Sequence, residues 1–354
     1  MANLENLLKL AVDAHASDIF IMAGLPLTYK ANGKLIHIDE ERVMPPQSEA
    51  LVQEIYRLGN RDMHRVLDTG DDDFSITVPN LSRFRVSIYQ QRGSLAAVIR
   101  IIPFGIPDYR RLQIPEEVMS VAEKTKGLVL VTGPAGGGKS TTLACIIDRI
   151  NQTREGHIIT LEEPIEYLHR NAKCAISQRE IGLDTESYLS GLRASLRQAP
   201  DVILLGEMRD YETIRTAMTA AETGHLVIGT LHTVGAANTI DRIIDVFPAN
   251  QQQQIRVQLA MVLQTVISQQ LVPLEGGGLA PAFEIMHLNS AVRNMIRESK
   301  IHQLDAFIAS SSGEGMITMD NSLLNLAKQK KISKETAIKF ATNTEVMEKR
   351  MSLL

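Results

Sequence analysis

Gly127-Leu128-Val129-Leu130-Val131-Thr132-Gly133-Pro134-Ala135-Gly136-Gly137-Gly138-Lys139-Ser140 decides the fold. Gly127–Thr132 reads as a short buried strand, residues 133–138 as a glycine-rich turn, and residues 139 to about 151 as a helix by apolar spacing. Glycines let backbone N–H groups converge on an anion, and a helix N-terminus behind them adds positive potential. The spacing G-x-x-x-x-G-K-S, between a strand and a helix, is that of a triphosphate-binding turn. Lys139 then supplies a cation for the β and γ oxygens, and Ser140 offers its hydroxyl to Mg²⁺. Gly133, Pro134, Ala135, Gly136, Gly137, Gly138, Lys139, Ser140 and Thr141 are therefore the expected contacts of ATP.

Strands and helices alternate downstream of this turn. His157–Leu161, Val202–Leu205 and His225–Thr230 read as short apolar strands, with helices over 185–198 and 210–222 between them. That rhythm predicts a mostly parallel sheet with helices on both faces. Three strand ends carry chemistry. Asp201-Val202-Ile203-Leu204-Leu205-Gly206-Glu207 delivers Glu207, an acid placed to hold Mg²⁺ through water or to polarise an attacking water. Ile158–Glu166 delivers Glu162, Glu163 and Glu166, whose mutual repulsion a metal-bound nucleotide would relieve. Thr223–Thr233 places His225 and His232 at the two ends of one apolar strand, where a histidine can sense a phosphate by hydrogen bonding.

Upstream, residues 3–15 space Leu4, Leu7, Leu8, Ala11 and Val12 as an amphipathic helix. Strands follow at Asp18–Ile21 and around Tyr29, and Asn32-Gly33 before Lys34–Ile38 signals a hairpin. One helix is expected over 47–67, then strands at Phe74–Val78, Phe84–Tyr89 and Ala96–Ile102. The first hundred residues thus form a small α+β domain. Pro103-Phe104-Gly105-Ile106-Pro107-Asp108 interrupts regular structure, as a hinge does. From about residue 290 the pattern is helical, broken at Ser310–Gly313.

Composition narrows the class. The 354 residues are 44% hydrophobic and 4% aromatic with no Trp, so aliphatic side chains and Met must fill the cores. A net charge of −4 argues against a sequence-independent nucleic-acid binder. No apolar run approaches the roughly 18–20 residues that a membrane span needs. The N-terminus carries acids within its periodicity and no small-residue cleavage site, which reads as mature helix and a cytoplasmic chain. Cys145 and Cys174 lack metal-ligand spacing and read as free thiols.

In this order and spacing, the glycine turn, the acidic segment Glu162–Glu166, Gly206-Glu207-Met208-Arg209-Asp210 and Thr223–Thr233 resemble the secretion-ATPase superfamily, and most closely its PilT-type retraction motors of type IV pili. Ala16-Ser17-Asp18-Ile19 and Arg83-Phe84-Arg85-Val86 extend the likeness upstream. Ala291-Val292-Arg293-Asn294-Met295-Ile296-Arg297-Glu298 and Met316–Asp320 extend it into the tail.

The resemblance implies an α/β fold with a RecA-like P-loop ATPase core at 113–288, an N-terminal PAS-like α+β domain at 1–102, a linker at 103–112 and a helical C-terminal region at 289–354. It implies a homo-hexamer at the inner face of the cell membrane that drives an inner-membrane platform protein and, through it, pilin. Glu166 and Glu207 would be the key acids, with Glu162 and Glu163 beside them, and His232 rather than His225 would contact nucleotide. Arg83, Arg85, Arg92 and Arg100 are the candidates for an arginine reaching a neighbour's nucleotide, a contact that raises turnover roughly 10³–10⁵-fold where it operates.

Ala135 and Gly137 replace the usual turn Thr and Ser, and Glu163 stands where the family has Asp. Two cysteines cannot build the four-cysteine zinc insert of pilus-extension and type II secretion motors, which favours retraction. The rival readings are an extension or secretion motor, a nucleotide-gated regulatory protein with little turnover, and a DNA translocase that the charge balance disfavours.

Overall fold

The computed structural model describes residues 3–31, 33–102 and 105–354. Asn32 of the expected hairpin, and Pro103 and Phe104 of the expected hinge, lie outside the described residues. Two compact units form. One runs to Gly105 and takes in Pro164–Leu168; the other comprises Ile106–Glu163 and His169–Leu354.

The first unit is an antiparallel sheet carrying helices. Its strands are β1 (Asp18–Ile21), β2 (Pro26–Ala31), β3 (Lys34–Arg42), β4 (Asp71–Val78), β5 (Ser82–Gln91) and β6 (Ser94–Ile102), in the order β3-β2-β1-β6-β5-β4. The helix Leu4–Asp13 buries Leu4, Leu7, Leu8 and Ala11, and Pro45–Leu58 buries Leu51, Val52, Ile55 and Tyr56. The single helix expected over 47–67 is two, Pro45–Leu58 and His64–Thr69. Between them Asn60 adopts the left-handed region (φ 48°), a conformation that ends a helix and that Asn tolerates better than most residues.

The second unit holds β7 (Gly127–Thr132), β8 (Gly156–Glu162), β9 (Cys174–Glu180), β10 (Val202–Leu205), β11 (Leu226–Leu231), β12 (Leu263–Pro273) and β13 (Leu279–His287). The order is β13-β12-β7-β11-β10-β8-β9, parallel throughout except that β13 runs antiparallel to β12. Every residue of β7, β10 and β11 is buried, because helices cover both faces of a parallel sheet. This is the mostly parallel α/β core that the resemblance implies. The strands β9, β12 and β13 escape a reading of apolar runs. The half-exposed β9 lies at an edge, and β12 interrupts its apolar pattern with Ser268, Gln269 and Gln270, all buried.

The tail is helical and packs onto this sheet. Met319, Leu323, Ile332, Ala337, Met347 and Met351 share a core with Val272, Ala280 and Ala282 of β12 and β13. Within the helix Ser290–Arg297, Val292 and Ile296 are buried. Arg293 Nη1 donates to the carbonyls of Ala260 (2.5 Å) and Met261 (3.0 Å), satisfying the end of the helix Gln252–Val262. Among the described residues no helix is long and apolar enough to cross a membrane.

Candidate active site

Parallel strands align their C-terminal ends, and the register places Thr132 beside Leu231, Gly229 beside Leu205, and Leu205 beside Leu161. Ligands of such sheets bind at this edge. The glycine turn leaves β7 there. A Cβ on Gly133 (φ +138°) would lie 2.0 Å from the Gln269 carbonyl oxygen, so only glycine lets the turn pass against β12. Gly137 N–H donates to Pro134 O at 3.1 Å, closing the turn. Gly138 caps the helix Lys139–Thr153 and has no side chain with which to mask the helix start.

Lys139 Nζ donates to Gly133 O (2.8 Å) and Pro134 O (2.9 Å), which holds the ammonium over the turn. Ala135, Gly136 and Ser140 are exposed, Thr141 is half-buried, and Thr142 donates to Gln269 Oε1 at 2.7 Å. Gln269 therefore braces the turn with its carbonyl and its side chain. Nothing in the glycine motif announces it; the signal is the polar stretch Ser268–Gln270 between Val266-Ile267 and Leu271-Val272. Beside Gly138 and Thr141 a cavity of about 240 Å³ is walled by Leu112, Ile114, Leu271 and Pro281 with Arg111 and Gln113. An anionic chain gripped by the turn and a flat base in this apolar hollow fit one nucleoside triphosphate.

Glu207 emerges just past β10 and His232 just past β11. His232 Nε2 donates to Glu207 Oε1 at 3.1 Å, and Arg209, two residues along the same chain, meets Glu207 Oε2 at 2.6 Å. Burial pushes the Glu207 carboxyl up, but hydrogen bonds and charge from Arg209 and then His232 outweigh it, so its pKa lies below the usual carboxylate value. The strand ends must approach closely for this. A Cβ on Gly206 would lie 2.9 Å from Tyr188 Oη and 3.1 Å from Leu161 O. Arg209 is a site residue that strand-end acids alone do not reveal. Asp210 next to it turns the chain into the helix Tyr211–Glu222, accepting from Thr213 N at 2.8 Å.

His225 is at the other end of β11, about 20 Å from His232 by the rise of a six-residue strand. Its Nδ1 donates to Ala220 O at 2.9 Å, closing the end of the preceding helix, so the structure does not bring it to the glycine turn. Glu162 ends β8 and accepts from Thr160 Oγ1 (2.6 Å) and Gln178 Nε2 (3.2 Å); Glu163 follows it, exposed.

Glu166 belongs to the first unit with Pro164–Leu168. Arg85 Nη1 lies 3.8 Å from its carboxylate. Arg83 is buried and grips the same segment: Nε donates to Ile165 O at 2.8 Å, Nη1 to Thr77 at 3.2 Å and Nη2 to Ser75 at 2.5 Å. Arg100 pairs with Asp18 at 3.1 Å, and Arg92 is exposed at the tip of the β5–β6 hairpin with φ 49°.

A glycine turn on a helix start, with an acid and a histidine at the neighbouring strand ends, defines a P-loop ATPase. Residues 1–278 match the family described as "Type II/IV secretion system protein", and the chain belongs to that family. It is 44% identical over 336 residues to the "Type IV pilus retractation ATPase PilT" of Pseudomonas aeruginosa, across 95% of this chain and 97% of that one. It is 45% identical over 316 residues to the "Twitching motility protein" of Neisseria gonorrhoeae, across 88% and 84%. A solved structure of the pilus retraction motor PilT with bound ADP superposes with a TM-score of 0.90 at 43% identity, covering 99% of each chain.

Proposed function

We propose that this chain is the ATP-hydrolysing motor of type IV pilus retraction, working as a homo-hexamer at the inner face of the cell membrane on a platform protein, and through it on pilin. The observation that carries the reading is the Glu207–His232 pair at 3.1 Å, held past the ends of β10 and β11, with β11 lying directly beside the strand that enters the glycine turn. The likeness to retraction motors over nearly the whole chain supports the direction of work.

The glycine turn and Lys139 bind the triphosphate, and the hollow beside Thr141 takes the base. Ser140, exposed at the start of its helix, and Glu207 are the residues that would hold Mg²⁺, a hydroxyl and a carboxylate being the hard oxygen donors such a cation takes, and the ion would supply positive charge to the triphosphate. Glu207 orients the attacking water, and His232, hydrogen-bonded to it, reports whether the γ-phosphate is present. Glu162 and Glu163 add negative charge at the end of β8. Arg92, exposed on its hairpin, and Arg85, weakly held by Glu166, are the arginines with the most freedom to reach a neighbouring subunit.

Lys139→Ala introduced in a piliated cell tests the direction. Surface pili that persist but no longer retract are expected; bald cells would assign the chain to extension.

A further inference from the structure

Three buried polar residues lie in a row across adjacent strands. Thr132 on β7 is in register with Ser268 on β12, and Ser268 with Glu284 on β13; their relative exposures are 0%, 1% and 5%. Residues in register share one face of a sheet. Leu128, Leu130, Val266 and Met286 on the same strands are buried and apolar, and Thr132 immediately precedes Gly133 of the glycine turn.

Ser268 and Glu284 hold the chain where it leaves His232 and enters the next helix, and Thr132 lies beside that helix. Ser268 Oγ accepts from Gly235 N at 2.9 Å, and Glu284 Oε1 accepts from Ala236 N at 2.7 Å. Thr239 Oγ1 donates to Gly235 O at 2.7 Å, lies 2.8 Å from Thr233 Oγ1 and approaches Thr132 Oγ1 at 3.5 Å. The N–H groups that start the helix Ala236–Asp245 are thereby tied to β12 and β13, with Thr239 of that helix beside Thr132 of the strand that feeds the glycine turn.

The second oxygen of Glu284 is committed elsewhere. Oε2 accepts from Met319 N at 3.2 Å, the first residue of the tail helix Met319–Lys328. Next to it, Ile285 exchanges two backbone hydrogen bonds with Ile317 (2.8 and 3.1 Å). One carboxylate thus closes two helix N-termini at once, each ten residues long. Opposed partial charges at both helix starts compensate the buried anion. Burial still pushes its pKa up, against the pull of the Ala236 and Met319 amides.

We propose that Glu284 is a positioning residue that fixes Ala236, where the segment after His232 enters its helix, and the start of the tail helix to one carboxylate, so that a nucleotide-driven shift of the first is carried to the second. A carboxylate has two equivalent acceptors, whereas an amide turns its NH₂ toward one of the two N–H donors. Glu284→Gln therefore keeps the shape and breaks one arm of the clasp. The proposal rests on the ATPase reading above, and the glycine turn supplies the control that separates the two.

The test is amide hydrogen exchange on the full chain, with and without MgADP or a non-hydrolysable MgATP analogue, joined to steady-state kinetics. In the unmodified chain, amides of 133–141, 233–237 and 318–322 are all expected to gain protection with nucleotide, by about tenfold or more. In Glu284→Gln the gain at 133–141 persists and KM for ATP stays within about twofold, while the gain at 318–322 is lost and kcat falls about tenfold. Glu284→Asp, which retains two acceptors on a shorter arm, recovers part of both. Protection at 133–141 and 233–237 without any at 318–322 in the unmodified chain overturns the proposal, and needs no variant. So does a Glu284→Gln chain that keeps the tail response. Absence of any response at 133–141 would instead sink the ATPase reading.

Discussion

His232 Nε2 lies 3.1 Å from Glu207 Oε1, although twenty-four residues and a full helix separate them in the chain. The parallel pairing of β10 with β11 makes that distance short, and both groups reach the edge of the sheet where the glycine turn begins.

Glu207→Gln preserves size but removes the charge that orients water, and its NH₂ gives up one of the two acceptors that Arg209 and His232 use. Turnover should fall about 10²–10⁴-fold while nucleotide affinity changes little. His232→Ala leaves Glu207 in place and should cost about tenfold in kcat. Phosphate release and equilibrium binding of a fluorescent nucleotide distinguish the two effects. Equal losses of affinity in both variants would show that the pair binds ATP rather than activating water.

The glycine turn predicts an asymmetry between its own glycines. Gly133→Ala drives a Cβ to 2.0 Å from the Gln269 carbonyl oxygen, and must displace β12 or the turn. Gly136→Ala meets nothing within 4 Å and suffers only its left-handed φ of +73°. Denaturant unfolding should show a loss of more than about 3 kcal/mol for the first and about 1–2 kcal/mol for the second.

Arg83 is expected to be needed for the fold of the first unit. Its guanidinium donates in a fixed fork to Ser75, Thr77 and the Ile165 carbonyl. Lysine offers no fork, so Arg83→Lys should destabilise by about 2–4 kcal/mol and speed proteolysis at 164–168. Arg92→Ala, on an exposed hairpin tip, should leave stability unchanged within about 0.5 kcal/mol. If turnover of the assembled protein drops in Arg92→Ala alone, that arginine is the one that reaches a neighbour.

His169 gives an acid-sensitive term. Burial pushes its pKa down to about 4, with Asp148 opposing, and its Nδ1 is buried with no partner among the described residues. The folded chain then binds fewer protons than the unfolded chain between the ordinary histidine value and about 4. Stability from this group is complete above the ordinary value and is lost as pH falls toward the folded one. The loss by about pH 5 should be on the order of 2 kcal/mol. Unfolding midpoints of His169→Leu should fall less on acidification than those of the unmodified chain; parallel curves would refute the assignment.

Some of this was legible in the residues. Gly133–Ser140 is contiguous, and its strand and helix flanks carry unambiguous apolar patterns, so local spacing suffices to read it. Glu207 and His232 are legible as strand ends, but only the order β11-β10-β8 says which ends meet, and order is not a local property. Gln269 and Glu284 stay hidden because they are polar residues in buried strands, where an apolar pattern predicts none. His225 misleads for the opposite reason: a histidine flanks the strand on each side, and direction alone decides which one meets the phosphate edge. The return of Pro164–Leu168 to the first unit depends on Arg83 and Arg85, some eighty residues earlier, and no periodicity encodes such a contact.

Hydrolysis at the glycine turn is the central claim, and phosphate release by the purified, assembled chain measures it most directly. Mg²⁺-dependent turnover is expected, falling at least about a hundredfold in Lys139→Ala. Equal rates in the two proteins, or none in the unmodified chain with MgATP bound, would contradict the account.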